Sequence, residues 1–243
     1  MRNWIIGAAA ILAVAVPGVA AAQTGYVGAV IGNAETDPGD DADFYGVEGA
    51  VAFAGSGSIV FEVDASVTDG DDTDTGYGIT GHVYGRNDQG LFGGFVGFGG
   101  SDDSETWTAG LEASKFYTNW TLAGALFYAN NDDANADVWG VNVQPRFFVN
   151  DNFRIDGNLG WATVDFGAGD DDAFSYGIGA EYQFAAMPIS IGASWNHAEF
   201  DEADAEADAL VGVVRYNFGG TTLRDRDRNG ASQADITGAG LFF

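Results

Sequence analysis

The sequence predicts an all-β protein, an up-and-down antiparallel transmembrane β-barrel of about twelve strands that follows a cleaved signal peptide. Twelve segments of the 243-residue chain alternate apolar with polar or small residues, the period-two pattern of strands. Each segment is roughly as long as the 9–11 residues that a membrane-spanning strand needs. Tight turns and longer acidic loops alternate strictly between the segments, as expected if all loops of one kind meet at one end of a barrel.

Residues 1–22 have the layout of a secretory signal peptide. Arg2 precedes a long apolar stretch, Pro17 interrupts it, and small residues come directly before Gln23. A membrane anchor is the alternative, because the stretch is long enough to be ambiguous. Pro17 and the small residues favour cleavage before Gln23, and we expect export by a Sec-type pathway.

The composition excludes several classes of function. The chain has 36 acidic and 9 basic side chains, a net charge of −27, yet 46% of its residues are hydrophobic and 14% aromatic, which argues against a disordered acidic protein. Such a negative chain repels phosphates, so nucleic acid is not an expected partner. The absence of cysteine excludes disulfide scaffolds, thiolate zinc sites and cysteine nucleophiles.

Glycine occurs inside eleven of the twelve predicted strands and helical three-four spacing is absent, so helices are not expected. The alternation is clearest in one segment, where the apolar residues Phe174 to Phe184 alternate with the polar or small residues Ser175 to Gln183. The predicted strands are 24–33, 44–54, 59–68, 77–86, 91–100, 106–116, 120–130, 138–148, 153–166, 173–184, 189–199 and 209–218.

A sheet inside a bilayer must close, because every backbone N–H and C=O there needs a partner within the protein. Aromatic residues concentrate at the strand ends, as expected for interfacial girdles. An even number of strands puts both ends of the barrel sequence on the periplasmic side. The alternative is a soluble secreted sandwich or propeller, which would have shorter strands and less regular loops.

This layout resembles Gram-negative outer-membrane β-barrel proteins of the porin-like type, small members of which are common in alphaproteobacteria. The segment from Val213 to Gly220 resembles the aromatic-rich last strand that the barrel-assembly machinery reads, and Phe243 is a second candidate for that signal. The resemblance implies location in the cell outer membrane, contact with its lipid and lipopolysaccharide, and passive diffusion of small solutes. It carries over no catalytic residue and leaves a homo-oligomer open.

The barrel region has only five basic residues, and the predicted topology puts all of them near the periplasmic end. Four of these have the parity of the lumen face, whereas Lys115 has lipid-facing parity. Opposed charges on the lumen face predict a constriction that orients polar solutes. Its predicted residues are Arg86, Arg146, Arg154, Arg215, Glu48, Glu62, Asp64, Glu112, Asp156 and Glu181. A salt-bridge network that simply fills the interior is the alternative.

The acidic loops predict a negatively charged extracellular mouth that concentrates cations and repels anions. Its predicted residues are Asp40, Asp41, Asp71, Asp72, Asp102, Asp103, Asp132, Asp133, Asp170, Asp171, Asp172, Asp201 and Asp204. Such clusters are commonly just solvated surface. The sharper hypothesis is that loop carboxylates bind Ca²⁺ or Mg²⁺ as bridges to lipopolysaccharide.

We expect residues 219–243, after the barrel of 23–218, to form a periplasmic tail, with a lumen plug as a further possibility. Asp225, Asp227 and Asn229 match the opening of a calcium loop, but Ile236 stands where that loop requires Glu, so the metal signal is weak and no cofactor is expected.

Two functional hypotheses follow. The first is a diffusion channel for small polar solutes and ions that prefers cations. The second is a non-conducting structural or surface-binding barrel. An enzyme is not expected: His82 is alone on the lumen face, and no serine shares the face of His197.

Overall fold

Twelve antiparallel strands close into a single barrel in a computed structural model of the chain. The structure describes residues 23–39, 41–70, 73–101, 104–167 and 169–233. The predicted signal peptide and the last part of the predicted tail, 234–243, lie outside the described residues. Each strand pairs with its neighbours in sequence, and β1 pairs with β12 to close the barrel. The predicted fold and strand number are confirmed.

The strands are β1 (Gln23–Asp37), β2 (Ala42–Ala54), β3 (Ile59–Gly70), β4 (Thr73–Asn87), β5 (Gly90–Ser101), β6 (Ser104–Phe116), β7 (Trp120–Asn131), β8 (Ala136–Asn150), β9 (Phe153–Asp165), β10 (Asp170–Gln183), β11 (Ile189–Phe200) and β12 (Ala205–Phe218). A seven-residue helix, α1 (Leu223–Asn229), follows the last strand. Within the described residues, no helix is long and apolar enough to cross a membrane.

The two ends of the barrel differ in their connections. The end that holds Gln23 and Phe218, together with the tight turns of the even-to-odd hairpins, is called the turn end here. The opposite end, with the acidic connections, is called the loop end. Several strands continue further toward the loop end than predicted, because backbone pairing extends beyond the apolar alternation from which the prediction was made. The predicted loop residues Asp170, Asp171 and Asp172 therefore belong to β10.

The barrel is apolar outside and polar inside. On the outer face, Ile31, Phe92 and Trp139 are at least 60% exposed, whereas the inward-facing Glu62 and Arg146 are at most 1% exposed. This inversion of the usual burial follows from the period-two alternation of the strands. Lys115 lies on the outward parity of β6, next to Ser114, which is buried on the inward face.

Several aromatic rings lie flat against the inner wall over a glycine on the neighbouring strand. A Cβ added at Gly140 would lie 2.4 Å from Cζ of Phe127, and one at Gly32 would lie 2.3 Å from Cζ of Phe44. Both glycines are directly opposite the ring-bearing residue in the sheet. The glycines therefore let large inward-facing rings fold along the wall instead of crossing the lumen.

Gly93→Ala is expected to destabilise the barrel, because its Cβ would lie 2.2 Å from the Val83 carbonyl oxygen and 2.3 Å from Cβ of Tyr84. Forcing the β4–β5 pair apart should cost about 1–3 kcal/mol. The control is Gly81→Ala, where an added Cβ has no heavy atom within 4 Å. The temperature at which the folded band disappears on an SDS gel should fall for Gly93→Ala alone, and equal temperatures for both variants would contradict this account.

Candidate functional site

Inward-facing charges on β2, β8, β9, β10 and β12 form one continuous cluster near the turn end, which we call the arginine wall. Its members are Arg146, Arg154, Arg215, Glu48, Asp156 and Glu181. Arg154 contacts Asp156 at 2.7 Å and Glu181 at 3.5 Å. Arg215 contacts Glu48 at 2.6 Å and Glu181 at 3.5 Å. The arginine wall is therefore an ion-pair network in which each carboxylate lies beside a guanidinium.

A second cluster, the histidine wall, lies on β3, β4 and β6 and consists of Glu62, Asp64, His82, Tyr84, Arg86 and Glu112. The Nε2 atom of His82 lies 2.8 Å from a carboxylate oxygen of Asp64, and its Nδ1 atom lies 3.0 Å from Glu112. The Tyr84 hydroxyl donates to Glu62 at 2.7 Å. His82, expected to be alone on the lumen face, thus lies between two carboxylates.

The structure divides the ten residues of the predicted constriction between these two walls. Glu48, Asp156 and Glu181 contact arginines. Glu62, Asp64 and Glu112 instead contact His82 or Tyr84. Arg86 donates to the Tyr84 hydroxyl and, at 2.9 Å, to the carbonyl of Gly230 beyond the barrel. The sequence identified the face of each residue but not its partners.

After β12 the chain turns back into the barrel. Gly219 adopts a positive φ of 79°, a conformation that favours glycine and lets the chain reverse directly after Phe218. Thr222 then caps α1 by accepting a hydrogen bond from the Asp225 backbone N–H at 3.1 Å. Partial burial acts to raise the pKa of the Asp225 carboxyl, but hydrogen bonds from the Thr221 backbone N–H and the Asn229 amide hold it below its usual value.

Two side chains of α1 join the arginine wall. Asp227 contacts Arg146 at 2.7 Å and accepts a hydrogen bond from the Thr121 hydroxyl at 2.6 Å. Arg226 contacts Glu181 at 3.1 Å and donates to the side chain of Gln183 at the same distance. Asp227 and Arg226 are buried. Sequence reasoning missed both contacts, although the alternation of Arg and Asp from 224 to 228 was a signal that the helix carries paired charges.

Residues 219–233, which we call the turn-end segment, contact the barrel on many sides. Arg224 pairs with Asp151 in the β8–β9 turn, and the Asn229 carbonyl accepts from Thr24 on β1 at 3.3 Å. The carbonyl of Ser232 accepts from Arg146 at 3.0 Å, and the backbone N–H of Gln233 donates to Glu62 at 3.0 Å. Because these partners lie around the ring of strands, the segment lies across the turn end.

Two cavities border the walls. One of about 720 Å³ is lined on the histidine-wall side by residues that include Asp64, Thr80, Phe95 and Thr108. The other, of about 390 Å³, borders the arginine wall and is lined by polar and small residues that include Asn158 and Ser194. The interior therefore keeps space beside both walls.

The loop end contains the predicted acidic residues that the structure describes. Asp41, Asp132, Asp133, Asp170, Asp172, Asp201 and Asp204 are exposed. Asp171 is buried, and its carboxylate accepts the backbone N–H groups of Glu202 and Ala203, so it holds the neighbouring loop instead of facing solvent. Asp40, Asp71, Asp72, Asp102 and Asp103 lie outside the described residues.

The weak metal candidates Asp225, Asp227 and Asn229 lie on α1 and at its end, not in an open loop. Asp227 is directed to Arg146 and Thr121, whereas Asp225 accepts from Asn229 at 2.9 Å. Among the residues that the structure describes, no three His, Cys, Asp or Glu side chains are grouped as a metal site would require.

Comparisons with known proteins give similarity in structure only. No family model matches the chain, and no curated protein matches it in sequence. An outer membrane channel from Pseudomonas putida F1 has a TM-score of 0.63 at 11% identity, over 84% of this chain and all of that one. The NanC porin has a TM-score of 0.57 at 8% identity, over 77% of this chain and 98% of the porin. The KdgM porin in complex with oligogalacturonate has 0.56 at 7% identity, over 79% and 99%.

The chain has the fold of an outer-membrane β-barrel. At identities this low, the likeness establishes the architecture alone, and it is consistent with the closed twelve-stranded sheet described above.

Asp227→Ala is expected to release α1 from the barrel. The substitution removes the α1 partner of the buried Arg146 and of the Thr121 hydroxyl, and loss of a hydrogen bond to a charged group typically costs about 1.5–3 kcal/mol. Trypsin should then cleave after Arg224, Arg226 or Arg228 faster than in the parent protein. Asp170→Ala, at an exposed site of the loop end, is the control, and equal cleavage rates for all three proteins would contradict the prediction.

His82→Leu is expected to destabilise the histidine wall, because Asp64 and Glu112 lose a shared hydrogen-bond partner inside the barrel. The loss should be about 1–3 kcal/mol or more, as for other buried groups left unsatisfied. His82→Gln keeps a donor and should lose less. Urea unfolding followed by tryptophan fluorescence measures both variants, and identical unfolding midpoints for Leu and Gln would refute the assigned role.

Proposed function

We propose that the protein is a channel of the Gram-negative outer membrane through which small polar solutes and ions diffuse passively. The observation that carries the proposal is the combination of an apolar outer face with a closed, polar interior that retains cavities of about 720 and 390 Å³. A barrel that served only as a scaffold needs no such interior space, because side chains can fill it.

The similar structures support a channel, although they do not identify its solute. The Pseudomonas putida protein is described as an outer membrane channel, KdgM and NanC as porins, and CymD as a monoaromatic hydrocarbon channel. Their solutes differ in chemistry, so the solute of this chain must be inferred from its own charges. A channel lets its solutes pass through the lumen and does not convert them, so we expect no enzymatic activity.

We propose that the loop end faces the outside and forms an acidic mouth that favours cations. The net charge of −27 and the exposed carboxylates of this end support a negative local potential. A low-dielectric wall focuses such a field and raises the local concentration of cations. The same carboxylates are candidates to bind Ca²⁺ or Mg²⁺ bridges to lipopolysaccharide.

The two walls form the proposed constriction. A solute that passes between them meets carboxylates with a histidine on one side and guanidinium–carboxylate pairs on the other. Because the arginine wall is internally paired, its field is short-ranged, and the acidic mouth is the stronger source of cation preference.

A non-conducting barrel is the alternative function, and one observation favours it: the turn-end segment lies across the interior. Such a barrel would act through its surface or its loops. The two functions differ in a measurable way, because only the channel produces unitary current steps.

The test is conductance of the purified full chain in planar bilayers under a KCl gradient. We expect discrete steps and a reversal potential that indicates cation preference, since the mouth attracts K⁺. A variant with Asp132, Asp133, Asp170, Asp201 and Asp204 changed to Asn should lose most of this preference, by several-fold in permeability ratio. Asp88→Asn, at an exposed turn of the opposite end, is the matched control and should change little.

Two results would overturn these proposals separately. Absence of steps from every folded form of the chain, including one that ends at Phe218, would refute the channel. Anion preference, or an unchanged permeability ratio in the five-site variant, would refute the acidic mouth while leaving the channel intact.

A further inference from the structure

We propose that the turn-end segment is a gate. It closes the channel when α1 forms ion pairs with the arginine wall, and it opens when α1 leaves and the wall charges pair with one another. The proposal rests on the proposed channel function and adds a mechanism for its regulation. It is carried by the charge balance, the register and the path of the described residues.

The charges balance in the closed state. The arginine wall contributes equal numbers of guanidinium groups and carboxylates, and α1 adds one of each, Arg226 and Asp227. Arg226 shares Glu181 with Arg154 and Arg215, while Asp227 takes Arg146. The two buried charges that docking brings to the arginine wall therefore cancel each other.

The register shows that the wall also balances without the helix. Arg146 is directly opposite Asp156 across the β8–β9 pair, and Glu181 is directly opposite Arg154 across β9–β10. Arg215 already contacts Glu48 at 2.6 Å. Each wall charge therefore has an opposite charge within the wall. The main cost of breaking a buried pair is the uncompensated charge that remains, and departure of α1 avoids that cost.

The segment is held mainly by polar contacts. Within the described residues, its buried apolar side chains are Leu223 and Ala231, and Ala231 packs with Tyr26, Ala50 and Ala52 on β1 and β2. Its other contacts are ion pairs, hydrogen bonds and the cation–π contacts of Arg226 with Tyr26 and of Arg228 with Phe116. Water competes for the ion pairs and hydrogen bonds once the segment begins to leave. A permanently fixed part of the core would bury a larger apolar surface.

The path of the chain explains why the docked segment would block passage. Ser232 and Gln233 are consecutive, yet the first contacts Arg146 on β8 and the second contacts Glu62 on β3. These strands are five positions apart in a ring of twelve, so they lie on nearly opposite sides. At this level the lumen is crossed by the backbone of the segment and by the side chains of Arg146 and Glu62 that reach it.

A reversible covalent lock tests the gate, and the chain has no cysteine to interfere. Ala231→Cys is combined with Ala50→Cys or with Ala52→Cys, and each pair is oxidised or bridged with a short thiol-specific cross-linker. We expect open events in bilayers to fall at least tenfold when the segment is locked and to return after reduction of the disulfide. Each single-cysteine variant, and Ala231→Cys with Ala136→Cys at the loop end, are controls that should not lock.

The outcomes separate the gate from the channel. Equal conductance of the locked, reduced and truncated forms (the last ending at Phe218) would refute the gate and leave the channel standing. Failure of both cysteine pairs to cross-link would show that the segment is not docked and would also refute the gate. If even the truncated form, shown to be folded by its gel mobility, conducts no current, then the proposed function itself fails. Asp227→Ala, which should raise the open fraction several-fold, replaces the truncated form if that form does not fold.

Discussion

The pairing of β1 with β12 is the contact on which the rest of the structure depends. It runs from Gly25 opposite Phe218 to Asp37 opposite Glu206 and converts an open sheet with two free edges into a closed one. A free edge would leave N–H and C=O groups without partners in an apolar medium, where each costs several kcal/mol. Closure also separates an interior from the outer face, so alternate residues of each strand face two different environments.

An inside that excludes most water places a second constraint on the chain, because charges there must be paired. The arginine wall and the histidine wall meet this constraint in different ways. Arg154 contacts both Asp156 and Glu181, and Arg215 contacts both Glu48 and Glu181. In the histidine wall, the single imidazole of His82 lies between Asp64 and Glu112. The arginine wall therefore distributes its charge over several shared pairs, whereas the histidine wall is centred on one imidazole.

The sequence predicted the number of strands and the direction of their side chains because both follow from a local, period-two pattern. It could not predict the partners of His82, since Asp64 and Glu112 are 18 and 30 residues away and are brought together by the register of three hairpins. The strand extensions at the loop end were missed because Asp and Thr residues there lack the apolar alternation on which the prediction relied. The position of α1 could not be predicted either, since its seven residues find their partners only on an already formed wall.

The contacts of the turn-end segment have a consequence for biogenesis. Its partners include Thr24 on the first strand, Glu62 on the third and Glu181 on the tenth, so no partly built sheet offers the complete set. Only the closed ring brings these partners together around the segment, so we expect it to dock after the last strand has joined the first. A newly closed barrel would then be open at this end until the segment docks.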